Sequence, residues 1–366
     1  MNVFFAGGGT GGHLYPALAI ARAMVAADLR VQPFFIGAKR GIERQILPGT
    51  EFPFELLDLH PLYRSRPWLN WRTVAGSGSS WRSIARIAAE SQPCALVATG
   101  GYAAAIALGF AVARRIPIVI QEQNSFPGLT VRWFARRAAQ LHLGFPEAAR
   151  LLHPGPRTRV FESGNPITPP LPENERPSRL DAAARWGFEG PPAPTLLVFG
   201  GSQGAEGINR AVAEWAPRAT NGIRVIWATG RANYDKYASL EGQSLRIAPF
   251  ISPMSDAYCA ADLALTRAGA MTTAELSAWG IPAILVPLPT AAADHQTANA
   301  RALSAFGAAV MIQQTALTAA LVGATVTRLI NDPGLLSEMR EKTLMRARPD
   351  AAQAIAANIL GMDCFK

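Results

Sequence analysis

Two stretches decide the fold. The first is Val3-Phe4-Phe5-Ala6-Gly7-Gly8-Gly9-Thr10-Gly11-Gly12-His13. The second, about one domain later, is Leu196-Leu197-Val198-Phe199-Gly200-Gly201-Ser202-Gln203-Gly204-Ala205. Each reads as an apolar strand, a glycine-rich turn and the opening of a helix. Glycine lets backbone N–H groups come close to a ligand, and the helix N-terminus behind them carries about +0.5 of an elementary charge. One such turn also serves as a bare strand-to-helix connection. Two, each heading its own half, predict a twin α/β chain with an anionic ligand.

Outward from the first turn, strand and helix signals alternate. Residues 3–6, 31–36, 95–99 and 116–120 read as strands, and 14–27, 81–91 and 102–115 as helices. Around the second turn, 195–199, 225–229, 261–266 and 283–287 read as strands, with helices between. Short continuous apolar strands between amphipathic helices indicate parallel sheets covered on both faces. The stretch 155–194 is rich in proline and places the linker near Gly164. The expected domains are therefore 1–163 and 164–349, with the last segment, 350–366, returning as a helix to the first.

The 366 residues carry a net charge of +9, unevenly placed. Residues 1–163 hold 18 Lys/Arg against 9 Asp/Glu, whereas 164–366 hold 17 of each. A basic half attracts phosphates, whether of nucleic acid, anionic lipid or a phosphorylated substrate. Aromatic RNA-binding signatures and helix-turn-helix punctuation are absent, so no nucleic-acid partner is expected. Cys94, Cys259 and Cys364 lack metal spacing and fit a reducing cytoplasm. The first apolar run is only a strand long, without a preceding basic region, and does not read as a signal peptide. The longest apolar run, 103–113, is too short to span a bilayer, so any membrane contact is peripheral.

A dinucleotide fold needs an acid at the end of its second strand for a ribose hydroxyl. The two candidate strands instead run into Gly37-Ala38-Lys39 and Thr229-Gly230-Arg231, and no Gly-Lys-Ser/Thr follows either turn. NAD and P-loop readings are thereby disfavoured. The acid stands elsewhere. In Thr266-Arg267-Ala268-Gly269-Ala270-Met271-Thr272-Thr273-Ala274-Glu275, the glycine opens a helix whose N–H groups suit a diphosphate. Glu275, a turn and a half in, can accept two ribose hydroxyls; alone it reads more readily as an exposed helix glutamate. Asp294-His295-Gln296-Thr297-Ala298-Asn299 then offers polar groups for a sugar, with Asp294 also suited to cap the helix.

With these residues in place, the chain resembles the MurG family of N-acetylglucosaminyltransferases. The resemblance runs through Gly8 to His13, Gly100-Gly101-Tyr102, Glu122-Gln123-Asn124, Gly164-Asn165-Pro166, Gly200 to Ala205, Arg267 to Glu275, and His295 to Asn299. It implies a GT-B fold, two Rossmann-like domains with parallel sheets facing a central cleft. It implies UDP-N-acetylglucosamine as donor and an undecaprenyl-diphosphate-linked N-acetylmuramoyl-pentapeptide as acceptor. Donor contacts would come from Thr10, Gly11, Gly12, Asn124, Ser202, Ile251, Arg267, Ala270, Met271, Glu275, His295 and Gln296. Gly9, Tyr102 and Asn124 would serve the acceptor. The chain departs from the family pattern in three places: Thr168 replaces a usual Arg, Gln121 a frequent His, and Ala104-Ala105-Ile106 a Ser-Gly-Pro step.

The chemistry implied is inverting displacement by the acceptor's 4-hydroxyl, with UDP leaving. His13, at the end of the first glycine turn, is the expected general base, and Glu122 is the other candidate. No Asp-x-Asp pair stands at a strand end, so neither metal nor other cofactor is expected, and activity should survive EDTA. The run 62–86 interleaves Trp68, Trp71 and Trp81 with Arg64, Arg66, Arg72, Arg82 and Arg86, and Arg132-Trp133-Phe134-Ala135-Arg136-Arg137 repeats the pattern. Indoles at headgroup level and arginines on anionic phosphates predict a peripheral seat on the cytoplasmic face of the membrane. The alternatives are a relative acting on another lipid, such as diacylglycerol, and a sugar-nucleotide-binding protein without catalysis.

Overall fold

The computed structural model describes residues 1–59, 70–201, 204–218 and 222–366. The chain divides into two compact units, Met1–Thr168 with Asp350–Lys366, and Pro169–Pro349.

The first unit runs β1 (Asn2–Gly7), α1 (Gly11–Ala27), β2 (Gln32–Ala38), α2 (Glu43–Ile46), β3 (Phe54–Leu57), α3 (Asn70–Ser91), β4 (Ala95–Gly100), α4 (Ala103–Ala113), β5 (Ile118–Glu122), α5 (Leu129–Phe134), β6 (Gln140–Leu143) and β7 (Arg159–Phe161). Among the described residues its sheet has seven parallel strands in the order β3-β2-β1-β4-β5-β6-β7. Successive side chains of a strand point to opposite faces. Phe4 and Ala6 therefore enter one core with α3 and α4, while Val3 and Phe5 enter another with α1.

The second unit runs α6 (Arg179–Arg185), β8 (Thr195–Phe199), α7 (Glu206–Trp215), β9 (Arg224–Ala228), α8 (Tyr234–Tyr237), β10 (Leu245–Ala248), α9 (Met254–Ala260), β11 (Leu263–Thr266), α10 (Ala270–Trp279), β12 (Ala283–Leu285), α11 (His295–Ala305), β13 (Ala309–Met311), α12 (Ala319–Ile330) and α13 (Pro333–Met345). Its described strands are again parallel, ordered β10-β9-β8-β11-β12-β13. Then α14 (Ala351–Leu360) places Ile355, Ala356 and Ile359 against the α1 face of the first unit.

Both sheets reverse direction of winding next to their first strand, at β1/β4 and at β8/β11. Ligands of open parallel sheets bind at such switch points, beyond the carboxyl ends of the strands. Both glycine turns lie there.

Several elements differ from the sequence reading. Strands β3, β6, β7, β10 and β13 went unread. In β6 the buried Gln140 and His142 break the apolar run. Helix α3 starts at Asn70, eleven residues before the expected 81, and runs through Gly76 and Gly78. The boundary between units falls after Thr168, past the expected Gly164. The cause is Asn165, buried and hydrogen-bonded to Gln121 and Gln123, which holds the segment in the first unit.

Candidate active site

In the first unit the glycine turn leaves β1 and enters α1, whose N-cap is Thr10. The carbonyl of Thr10 accepts the N–H groups of His13 and Leu14 at 3.2 and 3.3 Å, and its side chain makes no capping bond. Gly101, at φ +79°, lies so near the Gly8 carbonyl that a Cβ there would collide with it, so β4 ends against the turn only as glycine. The ring of Tyr102 packs on Gly9. The turn is held from below by Glu43 of α2, which is fully buried. Its Oε1 accepts the N–H of Gly9 at 2.9 Å and that of Ala38 at 3.2 Å.

His13 is half-buried and points at the end of β4. Its Nδ1 lies 2.9 Å from the Thr99 carbonyl and 2.9 Å from Gln123 Oε1. The Thr99 hydroxyl donates back to the His13 carbonyl at 2.7 Å. Glu122 ends β5 and is buried. Its Oε1 accepts from the Asn124 N–H at 2.9 Å and Asn124 Nδ2 at 3.3 Å, and its Oε2 from the Gly128 N–H at 2.9 Å. Burial pushes its carboxyl above the usual range, and those hydrogen bonds pull the other way. His13, Tyr102, Glu122 and Asn124 thus gather around the ends of β1, β4 and β5.

In the second unit, the expected Ser202 lies outside the described residues. Gly204, at φ +75°, abuts the Thr229 carbonyl too closely for any side chain, which packs this turn onto β9. Asn209 ties the two together, donating to the Thr229 carbonyl at 2.8 Å and accepting from Trp227 Nε1 at 3.0 Å. After β11, Arg267 is nearly buried. Its Nη1 donates to the carbonyls of Val286 and Pro287, both at 3.2 Å. No carboxylate pairs with it among the described residues, and burial lowers its pKa. A desolvated, unneutralised cation of this kind calls for an anion.

Gly269 is the N-cap of α10, so Ala270 and Met271 form its first turn. The first N–H groups of a helix have no partner within it and point outward at its positive end. Glu275 follows on the same helix, half-buried. Its Oε2 accepts the Tyr258 hydroxyl at 2.7 Å. Burial raises the Glu275 pKa against the lowering effect of that bond, and burial likewise raises Tyr258. Tyr258 is fixed in turn by the rings of Phe199 and Trp279. Ile251 is buried between β10 and α9, beside the exposed Phe250.

The polar segment after β12 is strained. Ala293 and Asp294 both adopt left-handed backbone, φ 53° and 55°, which costs about 1–2 kcal/mol per non-glycine residue. Asp294 occupies the N-cap position of α11, but its carboxylate accepts the Thr297 hydroxyl at 2.6 Å and no backbone N–H. His295 Nδ1 lies 2.6 Å from the Ala292 carbonyl, and Gln296 Oε1 accepts the Leu288 N–H at 3.0 Å. Asn299 donates to the Ala268 carbonyl at 3.2 Å. The loops after β11 and β12 are thus laced into one rim carrying Arg267, Ala270, Met271, Glu275, His295 and Gln296.

Sequence reasoning missed Glu43 and Tyr258. Glu43 stands alone five residues beyond β2, and Tyr258 precedes Glu275 by a whole strand, so neither shares a motif with its partner. Among the described residues no group of three or more His, Cys, Asp or Glu side chains is arranged to hold a metal ion.

Two parallel sheets of this strand order, each with a glycine turn at its switch point, define the GT-B class of glycosyltransferases. The N-terminal domain description of glycosyltransferase family 28 matches residues 3–143, and its C-terminal domain description matches 195–355. A "UDP-N-acetylglucosamine--N-acetylmuramyl-(pentapeptide) pyrophosphoryl-undecaprenol N-acetylglucosamine transferase" from Chlorobaculum parvum is 40% identical over 99% of both chains. A protein of the same name from Salinibacter ruber is 39% identical, covering 99% of this chain and 96% of its own. The crystal structure of Acinetobacter baumannii MurG superposes with a TM-score of 0.76 at 27% identity, over 99% of both chains. The chain belongs to glycosyltransferase family 28, in its MurG branch.

Proposed function

We propose that the chain transfers N-acetylglucosamine from UDP-N-acetylglucosamine to the 4-hydroxyl of undecaprenyl-diphosphate-linked N-acetylmuramoyl-pentapeptide, with inversion at the anomeric carbon. One observation carries the donor half of this reading. Glu275, clamped by Tyr258, sits on the helix whose N-terminus follows the unneutralised Arg267. A carboxylate for ribose hydroxyls and a cationic seat for a diphosphate are thereby on one rim. The backbone at Ile251 takes the uracil, and Ser202 with the Ala270–Met271 turn takes the phosphates. His295 and Gln296 take the sugar. The first unit, residues 1–168 with 350–366, takes the acceptor through Gly9, Tyr102 and Asn124. Thr10, Gly11 and Gly12 open the helix behind that unit's glycine turn.

Two demands define the chemistry. The acceptor hydroxyl loses its proton as it attacks, and the departing UDP gains charge. We place the base at His13, because both oxygens of Glu122 are committed to the 124–128 loop. A positioned general base contributes about 10²–10⁴-fold. Leaving-group charge is met by Arg267 and the α10 N-terminus, fixed dipoles aimed where it develops. Thr168, where the family usually has an Arg, is exposed and neutral, so on this reading the cation for the leaving group is Arg267.

The first unit carries the membrane seat. Trp133 is 56% exposed on α5, among the exposed Arg132, Arg136 and Arg137. Trp81 is partly exposed and packs edge-on against Phe110. Trp68 with Arg64 and Arg66 lies outside the described residues, as do the side chains of Trp71 and Arg72. No helix among the described residues is long and apolar enough to cross a membrane. The reading is of a peripheral enzyme at the inner face of the membrane.

The deciding measurement is UDP release from UDP-N-acetylglucosamine with a short-chain lipid acceptor. The expected result is turnover in the wild type, raised donor KM in Glu275→Ala and lowered kcat in His13→Gln. Donor binding without turnover on any lipid acceptor overturns the assignment, and transfer to diacylglycerol alone overturns the acceptor.

A further inference from the structure

We propose that a buried chain of side-chain amides, Asn165–Gln121–Gln123, acts with the Thr99 carbonyl to set which nitrogen of His13 carries the proton. Gln123 and Asn165 are 2% exposed and Gln121 is fully buried. Buried amides align so that each donor meets an acceptor. The direction of this chain is anchored at a backbone group that can only accept. Asn165 Nδ2 lies 3.0 Å from the Gln123 carbonyl, so it donates there and Asn165 Oδ1 faces Gln121. Gln121 Nε2 then donates to Asn165 Oδ1 at 3.0 Å, which turns Gln121 Oε1 toward Gln123. Gln123 Nε2 faces that oxygen, the Thr99 carbonyl at 2.9 Å and the Gln121 carbonyl at 3.1 Å, all of them acceptors. Only Oε1 of Gln123 is left to face the imidazole, at 2.9 Å from Nδ1.

His13 Nδ1 thus lies between two acceptors, Gln123 Oε1 and the Thr99 carbonyl. A nitrogen so placed bears the hydrogen, and the lone pair of the neutral ring is on Nε2. No member of the amide chain titrates, so the chain keeps its direction whatever the pH. Gln123 is a positioning residue: it acts through His13 and touches no reacting atom. The chain starts at Asn165, three residues before the boundary between the units at Thr168, so the linker's first residues help orient the base.

The inference rests on the reading of His13 as general base, and its test separates the two. Long-range nitrogen–proton NMR of histidine-labelled protein reports the tautomer directly, with the His13 signal assigned by its loss in His13→Gln. The expected result is a protonated Nδ1 and an unprotonated Nε2 in the wild type. Gln123→Leu leaves the Thr99 carbonyl as acceptor at Nδ1, so the signal is expected to move part of the way toward the other tautomer, whereas Gln123→Glu, which keeps the second acceptor, retains the protonated Nδ1. In Gln123→Leu, kcat should fall about ten- to a hundredfold with donor KM within about twofold of wild type. A wild-type proton on Nε2 overturns the proposal, and so does a protonated Nδ1 unchanged in Gln123→Leu. Should Gln123→Leu not fold, Gln121→Leu, which removes the side-chain acceptor that orients the Gln123 amide, is read in the same way. If His13→Gln retains full turnover, the base assignment fails, while the tautomer result stands or falls separately.

Discussion

Glu275 is the residue at which local physics and proposed function meet most directly. Its carboxyl must be ionised to accept two ribose hydroxyls, yet burial raises its pKa. Affinity for UDP-N-acetylglucosamine, whose diphosphate keeps its charge on acidification, should therefore be full above that raised pKa. It should fade as the pH drops through it, starting higher than for an ordinary glutamate. Titration calorimetry from pH 8 downward tests this, and Glu275→Gln should remove the pH dependence. Hydrogen bonds to a charged group are worth about 1.5–3 kcal/mol, so Glu275→Ala should weaken binding by roughly ten- to a hundredfold. In the free protein the sign reverses. A raised carboxyl contributes stability below its unfolded pKa and loses it as pH rises through the folded value. Glu275 was readable from the sequence because helix spacing links it to Gly269. Tyr258 was not, because only the packing of α9 beside β8 and α10 brings its hydroxyl there.

Among elements, the two glycine turns are legible as turns but not as supported structures. Nothing in Gly8-Gly9-Thr10 announces that Glu43 of the short α2 holds them. Glu43→Ala leaves the N–H groups of Gly9 and Ala38 without their acceptor, and buried unpaired donors cost about 1–3 kcal/mol each. A lowered melting temperature together with reduced kcat is the expected outcome, and unchanged melting would show the turn to be self-supporting. Strand β6 makes a second case. Its His142 is fully buried, stacked on Phe161 and bonded to Ser163 and Gln140, and burial holds its pKa at about 4. A histidine depressed in the fold lends stability above its unfolded pKa and loses it as pH falls from 6.5 toward 4. The expected loss over that window is about 3 kcal/mol. Urea melts should show it in wild type and not in His142→Gln. The same buried polar pair hid β6 from a reading based on apolar runs.

At the scale of the whole molecule, the twin architecture was legible because each half carries its own strand–glycine–helix signature and its own run of apolar strands. The edge strands β3, β7, β10 and β13 were not, since three or four residues hold too little pattern. The membrane reading also belongs to this scale, because it rests on charge summed over a half. Vesicles containing anionic lipid should retain the protein at low salt and release it as salt rises. Equal retention on neutral vesicles would leave the arginines without that role.

Helix α14 has a further consequence. It covers the α1 face with Ile355, Ala356 and Ile359, and Phe365 follows just beyond it. The half translated first therefore cannot finish its interior until the last helix has emerged, while the half made second is already complete. Cutting the chain after Pro349 should leave a protease-resistant core at 169–349 and a sticky, ill-formed partner. On the ribosome, the order of synthesis and the order of completion run in opposite directions.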